Sequence, residues 1–306
     1  MIFDLMFNMC FRKTKVVCDT NVWYSISKDG YSKFGDILSK YQLVLTNLSL
    51  VELVSTAKIE KNEATFQNVK DAFAAIHKYA LFRADNDVEH IMNVLKIEFI
   101  DEEHCDIKDV YENILKDFLN AKSCDDLTYD YAKQISLRTA ACDVYTKHIN
   151  LQIEEWRKSK KQNPISVEEI RSCLIWLMKK DIYEYLSRHK ITIRKIPFTT
   201  DQVDDIISTA FDLYLTAFSN FIFEKYKQHG SYIKPNDYVD FRNLIYCHDN
   251  LKYLTFEKPK GQCVGNMIET HCKSWFINEI EELRIRNTAI SKDIQSKQSK
   301  PSQSSI

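Results

Sequence analysis

The chain has 306 residues, of which 44% are hydrophobic and 28% charged, and its formal net charge is −1. These are ordinary values for a soluble globular protein, and the length allows one large or two small domains with a real core. The balanced charge excludes an overall electrostatic pull toward nucleic acid, so any basic surface must be local. Nine scattered cysteines favour free thiols in a reducing cytoplasm, and the small numbers of Gly and Pro favour long helices.

The front of the chain predicts two strands, each followed by a helix. Residues 1–11 are apolar but too short to span a bilayer, so we expect a buried strand or a loose leader rather than a membrane anchor. Residues 14–18 (TKVVC) predict a short buried strand. Residues 41–45 (YQLVL) predict a second strand, and Thr46 or Asn47 can cap the helix that follows it.

The middle of the chain is helical in pattern. Apolar residues recur at helical spacing over 62–97, with a break near Arg83–Asn86, and then over 106–122, 125–158, 166–189 and 200–228. Residues 191–197 predict a short strand or an extended link. No stretch here is apolar and long enough to span a membrane.

After a turn at Gly230, the pattern predicts a helix over 236–248, a strand over 252–256 and a last helix over about 265–289. The tail, 291–306, has few large apolar residues and is predicted to be disordered. Strands that alternate with helices indicate a parallel sheet, and in such sheets the site lies at the carboxyl ends of the strands.

Acidic residues lie near the predicted carboxyl ends of the strands, where a site is expected. Asp19 follows the first strand directly, and Glu52 lies in the first turns of the helix after the second strand. Asp237 and Asp240 lie on the helix before the last predicted strand, which Glu257 closes. A hard divalent cation takes oxygen ligands, and Mg²⁺ uses only one or two direct carboxylates, so acids from separate segments suit such an ion. A bound metal activates water and shields the charge that develops on phosphate.

Four segments, in chain order, resemble the motifs of PIN domains, a family of metal-dependent ribonucleases. VVCDTNVW, which contains Asp19, is similar to the first motif, and TNLSLVEL, which contains Glu52, to the second. NDYVDFRNLIY with Asp240 is similar to the third, and KYLTFEK with Thr255 and Glu257 to the fourth. Asp240 precedes Thr255 by 15 residues, which is the spacing in PIN domains. The likeness covers about residues 14–58 and 231–260.

The resemblance implies hydrolysis of RNA, less often of structured DNA, with Mg²⁺ or Mn²⁺ as cofactor. It implies that Asp19 and Asp240 bind the metal directly, with Asp237 as a further candidate ligand. Glu52 and Glu257 would then position the water that attacks the phosphorus in line.

Asn21 and Thr255 would orient the acids through hydrogen bonds, as residues behind a metal site do. The chain departs from the family at Glu257, where Asp is usual and the carboxylate is one methylene shorter. It also departs in size, because the stretch between Glu52 and Asp237 is much longer than in compact PIN toxins.

Each of these residues has a simpler structural alternative. Asp19 and Asp237 are both suited to capping a helix, and Glu52 could be an ordinary exposed charge on one. Asn21 and Thr255 could be ordinary polar residues of a turn and of a strand. Asp240 stands a full turn inside its helix, where capping does not account for it.

Two other features compete with the acidic site or add to it. Arg83 and His90 are separated by six residues, which resembles the Arg-x₄₋₆-His signature of metal-independent HEPN ribonucleases. Basic side chains can hold an RNA backbone through its phosphates, and the candidates here are Arg157, Lys158, Lys258 and Lys260.

We therefore expect an α/β protein with a three-layer PIN-like core around a central parallel sheet, plus a large all-helical insertion. The core would be discontinuous, over 12–60 and 231–290, with the insertion over 61–230 and part of that stretch forming core helices. RNA is the expected substrate, and a protein inhibitor or partner would bind the insertion. A homo-oligomer remains open, as does a role as toxin, processing nuclease or defence effector in the cytoplasm. The remaining alternative is a non-catalytic scaffold with the PIN fold.

Overall fold

The structure, a computed structural model, describes residues 13–60, 62–82, 86–101, 107–128, 131–159, 164–189, 191–248, 251–255 and 264–272. Within these ranges the protein is a mixed α/β fold with a four-stranded parallel sheet and a separate two-stranded antiparallel sheet. This confirms the predicted α/β class and the parallel sheet. The predicted leader, 1–11, and the predicted tail, 291–306, lie outside the described residues.

The front of the chain alternates strands and helices. Its elements are β1 (Thr14–Cys18), α1 (Thr20–Lys40), β2 (Tyr41–Leu45), α2 (Asn47–Glu60), α3 (Glu63–Tyr79) and β3 (Ala80–Phe82). Thr46 caps α2, because its Oγ1 accepts a hydrogen bond from the Ser49 amide at 3.1 Å. The strand β3 was not predicted, since three residues directly after a helix are too few to show an alternating pattern.

The middle of the chain is mainly helical. Its elements are α4 (Asp87–Val94), β4 (Glu98–Asp101), α5 (Ile107–Asn120), a 3₁₀ turn (Cys124–Asp126), α6 (Ala132–Ser159), α7 (Val167–Arg188), β5 (Ile191–Lys195), α8 (Thr200–Ala210) and α9 (Asp212–Lys227). The strand β5 pairs antiparallel with β4, so the segment predicted as strand or link is a strand.

The single helix predicted over 200–228 is wrong, because α8 and α9 meet at Phe211 with a bend of 83°. The Phe211 side chain is fully buried at this bend. No Gly or Pro marks the break, so the sequence carries no signal for it.

The elements after residue 234 include the fourth strand of the main sheet. They are α10 (Pro235–Arg242), a 3₁₀ turn (Asn243–Tyr246), β6 (Lys252–Leu254) and α11 (Val264–His271). The helix predicted over 236–248 therefore tightens into a 3₁₀ turn after Arg242. The part of the predicted last helix beyond residue 272 lies outside the described residues.

The strands of the main sheet lie in the order β3-β2-β1-β6. Val17 of β1 is paired with Val44 of β2 on one side and with Tyr253 of β6 on the other. The chain thus moves outward from β1 through β2 to β3, and later returns to the opposite side of β1. The order reverses between β1 and β6, and ligands of parallel α/β sheets bind at the carboxyl ends of the strands beside such a reversal.

Helices cover both faces of this sheet. Val17 and Val44 belong to one hydrophobic cluster, and Val16, Cys18 and Leu43 belong to another. Successive residues of a strand point to opposite faces, so the two clusters lie on opposite sides of the sheet. Helices α1, α2, α3 and α5 supply the second cluster, while α4 and α6 to α11 supply the first. The prediction that the insertion over 61–230 is all-helical is therefore wrong. Its helices contribute to both faces, β3 belongs to the main sheet, and β4 and β5 form the two-stranded sheet.

In the described part of the chain, no single helix is long and apolar enough to cross a membrane. The bent pair of α8 and α9 passes this test of length and composition only when both helices are taken together. Most of the α9 side chains that raise its hydropathy are buried in the core.

Candidate active site

Asp19 stands at the junction of β1 and α1, beside the end of β6. Its backbone amide donates to the Leu254 carbonyl at 2.9 Å, which extends the pairing of the two strands by one residue. Its own carbonyl accepts from the Val22 amide at 3.0 Å, which starts the helix. The Asp19 side chain is thus fixed at the carboxyl edge of the sheet, where the residue is only 9% exposed.

Two neutral side chains hold the Asp19 carboxylate. Asn21 donates from Nδ2 to Asp19 Oδ2 at 2.7 Å, and Thr255 donates from Oγ1 to the same oxygen at 2.8 Å. Asn21 Nδ2 also donates to Thr255 Oγ1 at 3.0 Å, which closes a triangle of three residues. Thr255 is 236 residues after Asp19, so this contact joins the first and fourth sequence motifs in space.

Glu52 reaches the same edge from the neighbouring strand. It lies in the second turn of α2, which follows β2, and is half-buried. Thr20 Oγ1 donates to Glu52 Oε2 at 2.6 Å, and Thr20 is the residue directly after Asp19. A hydroxyl therefore links the segment of Asp19 to the second predicted acid and restrains the orientation of the Glu52 side chain.

A buried layer of polar side chains underlies these acids. Thr46 Oγ1 donates to Asn243 Oδ1 at 2.7 Å, which ties the end of β2 to the turn after α10. Ser49 Oγ donates to the Cys18 carbonyl at 3.3 Å, which ties α2 to the end of β1. The sequence does not predict a site role for Thr20, Ser49 or Asn243. The only available signal was the Thr46-x-x-Ser49 capping pattern, which points to local structure.

Cys18 is the nearest thiol to Asp19, but it is not a candidate nucleophile. Burial raises the pKa of the Cys18 thiol far above its ordinary value, and the adjacent Asp19 carboxylate acts in the same direction. The thiol donates to the Val16 carbonyl at 3.5 Å. A thiol that stays protonated has no reactive thiolate, which leaves oxygen groups to do any chemistry at this edge.

The third predicted segment, α10, carries Asp237 and Asp240. Asp237 Oδ2 accepts from the Lys234 amide at 2.8 Å, which is the contact of a helix cap and supports the capping alternative for this residue. Asp240 is half-buried in the last turn of α10. It lies three residues before Asn243, which contacts Thr46, and residues three apart lie on similar sides of a helix.

Among the described residues, no three His, Cys, Asp or Glu side chains form a group that could hold a metal ion. That Asp19 and Asp240 together hold one ion stays a prediction. Glu257, Lys258 and Lys260 lie outside the described residues.

Arg157, predicted to contact RNA, points into the protein instead. Its side chain is 7% exposed, and its guanidinium donates to Glu154 and to four backbone carbonyls. Those carbonyls belong to the end of α9 and the loop after it, at Lys225, Tyr226, Gln228 and Ser231. These contacts indicate a structural role for Arg157, because a guanidinium has only five N–H donors. Lys158 beside it is exposed.

The competing metal-independent site is only partly described. His90 lies on α4, is fully buried, and packs its ring against Tyr246 and His248 with centroids 4.8 and 4.7 Å away. Arg83 lies outside the described residues. A fully buried imidazole has no direct access to an RNA backbone, so this surrounding favours a packing role for His90.

No family model, curated protein or solved structure matches the chain. The contacts at the carboxyl edge of the sheet, together with the four sequence motifs, are therefore what bears on function.

Proposed function

We propose that this chain is a metal-dependent endoribonuclease of the PIN type, which hydrolyses RNA phosphodiester bonds at the carboxyl edge of its sheet. The sheet and the helices on its two faces would form the three-layer PIN-like core. The observation that carries this proposal is the triangle of Asp19, Asn21 and Thr255, in which residues of two motifs from opposite ends of the chain share hydrogen bonds.

The position of this triangle supports a catalytic role over a purely structural one. Capping of α1 would need only Asp19, whereas here a buried Thr and an Asn both fix one oxygen of the carboxylate. The triangle also spans the ends of β1 and β6, between which the strand order reverses. That is where open parallel sheets bind their ligands.

The oxygen donors at this edge suit a hard divalent cation. Asp19 follows β1, Glu52 lies on the helix after the neighbouring strand β2, and Thr20 links the two segments. Mg²⁺ needs only one or two carboxylates, because water fills its other positions. Such an ion, when bound, lowers the pKa of water and stabilises negative charge on phosphate. We assign Asp19 and Asp240 as its ligands, with Asp240 approaching from α10.

The protein's own groups provide orientation. Asn21 and Thr255 keep the Asp19 carboxylate in a single direction, so that binding loses little side-chain freedom. Glu52, held by Thr20, would orient the attacking water for in-line displacement at phosphorus, and Glu257, two residues after Thr255 in sequence, would assist. Lys258 and Lys260 follow directly in sequence and neutralise the phosphates of the RNA.

The test is cleavage of end-labelled single-stranded RNA with Mg²⁺ or Mn²⁺, for the wild type and for Asp19→Asn. Outer-shell changes alone cost about 10- to 100-fold, so loss of a ligand should reduce the rate by more than about 100-fold. EDTA should abolish cleavage by the wild type. The matched control is Asp71→Asn, because Asp71 is an exposed carboxylate on α3 whose hydrogen-bond partner is Gln67, and it should cleave like the wild type.

Other outcomes would contradict the proposal in distinct ways. Cleavage that survives both EDTA and Asp19→Asn, but is lost in Arg83→Ala, would establish the metal-independent alternative. No cleavage of any RNA by the wild type with either metal would favour the non-catalytic scaffold.

A further inference from the structure

A cavity of about 370 Å³ lies between the helices on one face of the sheet, near the carboxyl edge that carries Asp19 and Glu52 (the acidic edge). Its walls come from α2, α4, α6, α7 and α10 and from the 3₁₀ turn after α10. Exposed residues Arg188 and His189 at the end of α7 are part of its lining, so the cavity reaches the surface there. This volume lies near the lower end of the range for small-molecule sites, which suits a nucleobase or nucleoside better than a large ligand.

The wall of the cavity is rich in aromatic rings. Tyr145, Tyr185, Tyr238 and Tyr246 all line it. The rings of Tyr145 and Tyr238 are parallel within 8°, with centroids 5.3 Å apart, and Tyr145 and Tyr185 are half-buried and therefore accessible. Aromatic side chains of this kind provide stacking surfaces for unpaired bases in RNA-binding proteins.

The charge of Arg242 in the wall is balanced by two carboxylates, one of which has an oxygen left for a ligand. Arg242 is buried and donates to Asp87 Oδ2 at 2.6 Å and to Asp181 Oδ2 at 2.8 Å, so two carboxylates balance its charge. Tyr145 donates to the other oxygen of Asp181. Each oxygen of Asp181 thus accepts a hydrogen bond. The Asp87 side chain is 22% exposed, and its Oδ1 accepts no hydrogen bond from the described residues. The cavity therefore offers a carboxylate oxygen to a ligand with N–H groups.

The cavity and the acidic edge share two elements. On α2, Leu48 and Val51 line the cavity. Ser49 contacts the end of β1, and Glu52 contacts the start of α1. Where α10 ends, Arg242 faces the cavity and the next residue, Asn243, contacts Thr46. Because a helix with its side chains is about 10–12 Å across, the two sites lie within about one helix diameter of each other.

We propose that this cavity binds one base of the RNA strand, a guanine, which stacks on the tyrosine wall and donates its N–H groups to Asp87. Guanine has two neighbouring N–H donor groups on its Watson–Crick edge, whereas each of the other three RNA bases has one. A carboxylate acceptor that meets this edge therefore favours guanine. The assignment rests on the proposed function in one respect, namely that the base belongs to an RNA held for cleavage at Asp19.

The test separates binding from cleavage. Binding of GMP, AMP, CMP and UMP is measured by calorimetry on the Asp19→Asn variant without metal. A mononucleotide has no phosphodiester bond between nucleotides, so the measurement reports binding alone. We expect GMP to bind at least about tenfold more tightly than the others, because a site built to accept hydrogen bonds rejects ligands that lack the donors. A single-stranded RNA with one guanine should displace GMP, and the same RNA without guanine should not.

Two further substitutions locate the binding. Val88→Phe fills the cavity from α4 without removing any hydrogen bond, and should lower GMP affinity by at least about tenfold. Asn93→Phe adds the same ring at an exposed position of α4 and should leave affinity within about twofold. Asp87→Asn should abolish the preference for GMP. Because this change also weakens the pair with Arg242, Val88→Phe is the decisive variant.

The outcomes distinguish this inference from the proposed function. If RNA is cleaved but no mononucleotide is preferred, or if Val88→Phe binds GMP like the wild type, the base site is overturned. If GMP binds but guanine-containing RNA fails to displace it, the occupant is a free nucleotide and the assignment to the strand is overturned. If GMP and guanine-containing RNA bind as expected while no RNA is cleaved, the base site stands and the nuclease proposal fails.

Discussion

Asn21 and Thr255 fix the orientation of the Asp19 side chain. Both Asn21 and Thr255 donate to Oδ2, and Thr255 also accepts from Asn21, so removal of one hydroxyl weakens two contacts at once. Thr255 is fully buried, which means that water cannot easily replace its hydroxyl. The proposed metal ligand therefore depends on a residue far away in sequence.

Thr255→Val is expected to reduce RNA cleavage by about 10- to 100-fold and to raise the Mg²⁺ concentration needed for half-maximal rate, because it replaces an orienting hydroxyl by a methyl of the same shape. Thr255→Ser keeps the hydroxyl and should restore most of the activity. Cleavage rates measured across a Mg²⁺ titration test this. A Val variant with a normal Mg²⁺ dependence would show that Thr255 does not orient a ligand.

At the scale of elements, Arg157 joins α6 to the end of α9. The last carbonyls of a helix have no partners within the helix, and here one guanidinium takes two of them, at Lys225 and Tyr226. It also takes two carbonyls of the following loop. A basic residue at the end of a long polar helix thus acts as a capping group for a different helix.

Arg157→Met is expected to lower the free energy of unfolding by about 2–3 kcal/mol, because buried hydrogen bonds to a charged group are lost. It should leave the salt dependence of RNA binding unchanged. The control, Lys158→Met, alters the adjacent exposed residue and should change stability by less than about 0.5 kcal/mol. Denaturant unfolding and RNA binding at several salt concentrations measure both effects. A salt slope lowered by about one unit in Arg157→Met would instead indicate a phosphate contact.

At the scale of the whole molecule, one buried ionic network ties together the helices behind the sheet. Arg242 on α10 pairs with Asp87 on α4 and with Asp181 on α7, and Tyr145 on α6 donates to Asp181. Burial raises the pKa of Asp181 to about 6, although Arg242 and Tyr145 act to lower it. Removing one member of such a buried pair is costly, because the other charge is left without compensation.

The raised pKa of Asp181 predicts a pH dependence of stability. Its value in the unfolded chain is 3.8, so between about pH 4 and pH 6 the folded state binds more protons than the unfolded state. The contribution of this group is therefore full below pH 3.8 and is lost as the pH rises through about 6. Relative to Asp181→Asn, the wild type should gain about 1 kcal/mol of unfolding free energy between pH 7 and pH 5.

Denaturant unfolding of both proteins at the two pH values measures this difference, with Asp71→Asn as the exposed control. Because each variant is compared with the wild type at the same pH, titrating groups that do not interact with Asp181 cancel. A difference between wild type and Asp181→Asn that stays constant from pH 7 to pH 5 would mean that Asp181 does not titrate in this window.

Local patterns in the sequence were sufficient for the first two strands and the helices after them. The apolar runs at 14–18 and 41–45 become β1 and β2, and Thr46 caps α2. The same patterns pointed to Asp19 and Glu52, which follow β1 and β2 in sequence, whereas Asn21 and Thr255 were predicted from the resemblance to the four motifs. The local patterns failed at β3, at β4 and at the bend at Phe211, where neither periodicity nor a Gly or Pro marks the change.

The sequence by itself determined the class of fold and the candidate acids, since both depend on residue types at short spacing. Only the tertiary structure decided that β6 lies beside β1, and hence that Thr255 meets Asp19 across 236 residues. It alone decided that Arg157 is buried and that Asp87 faces a cavity. The physical reason is that burial and long-range contact depend on how helices pack on the two faces of the sheet, which no local spacing encodes.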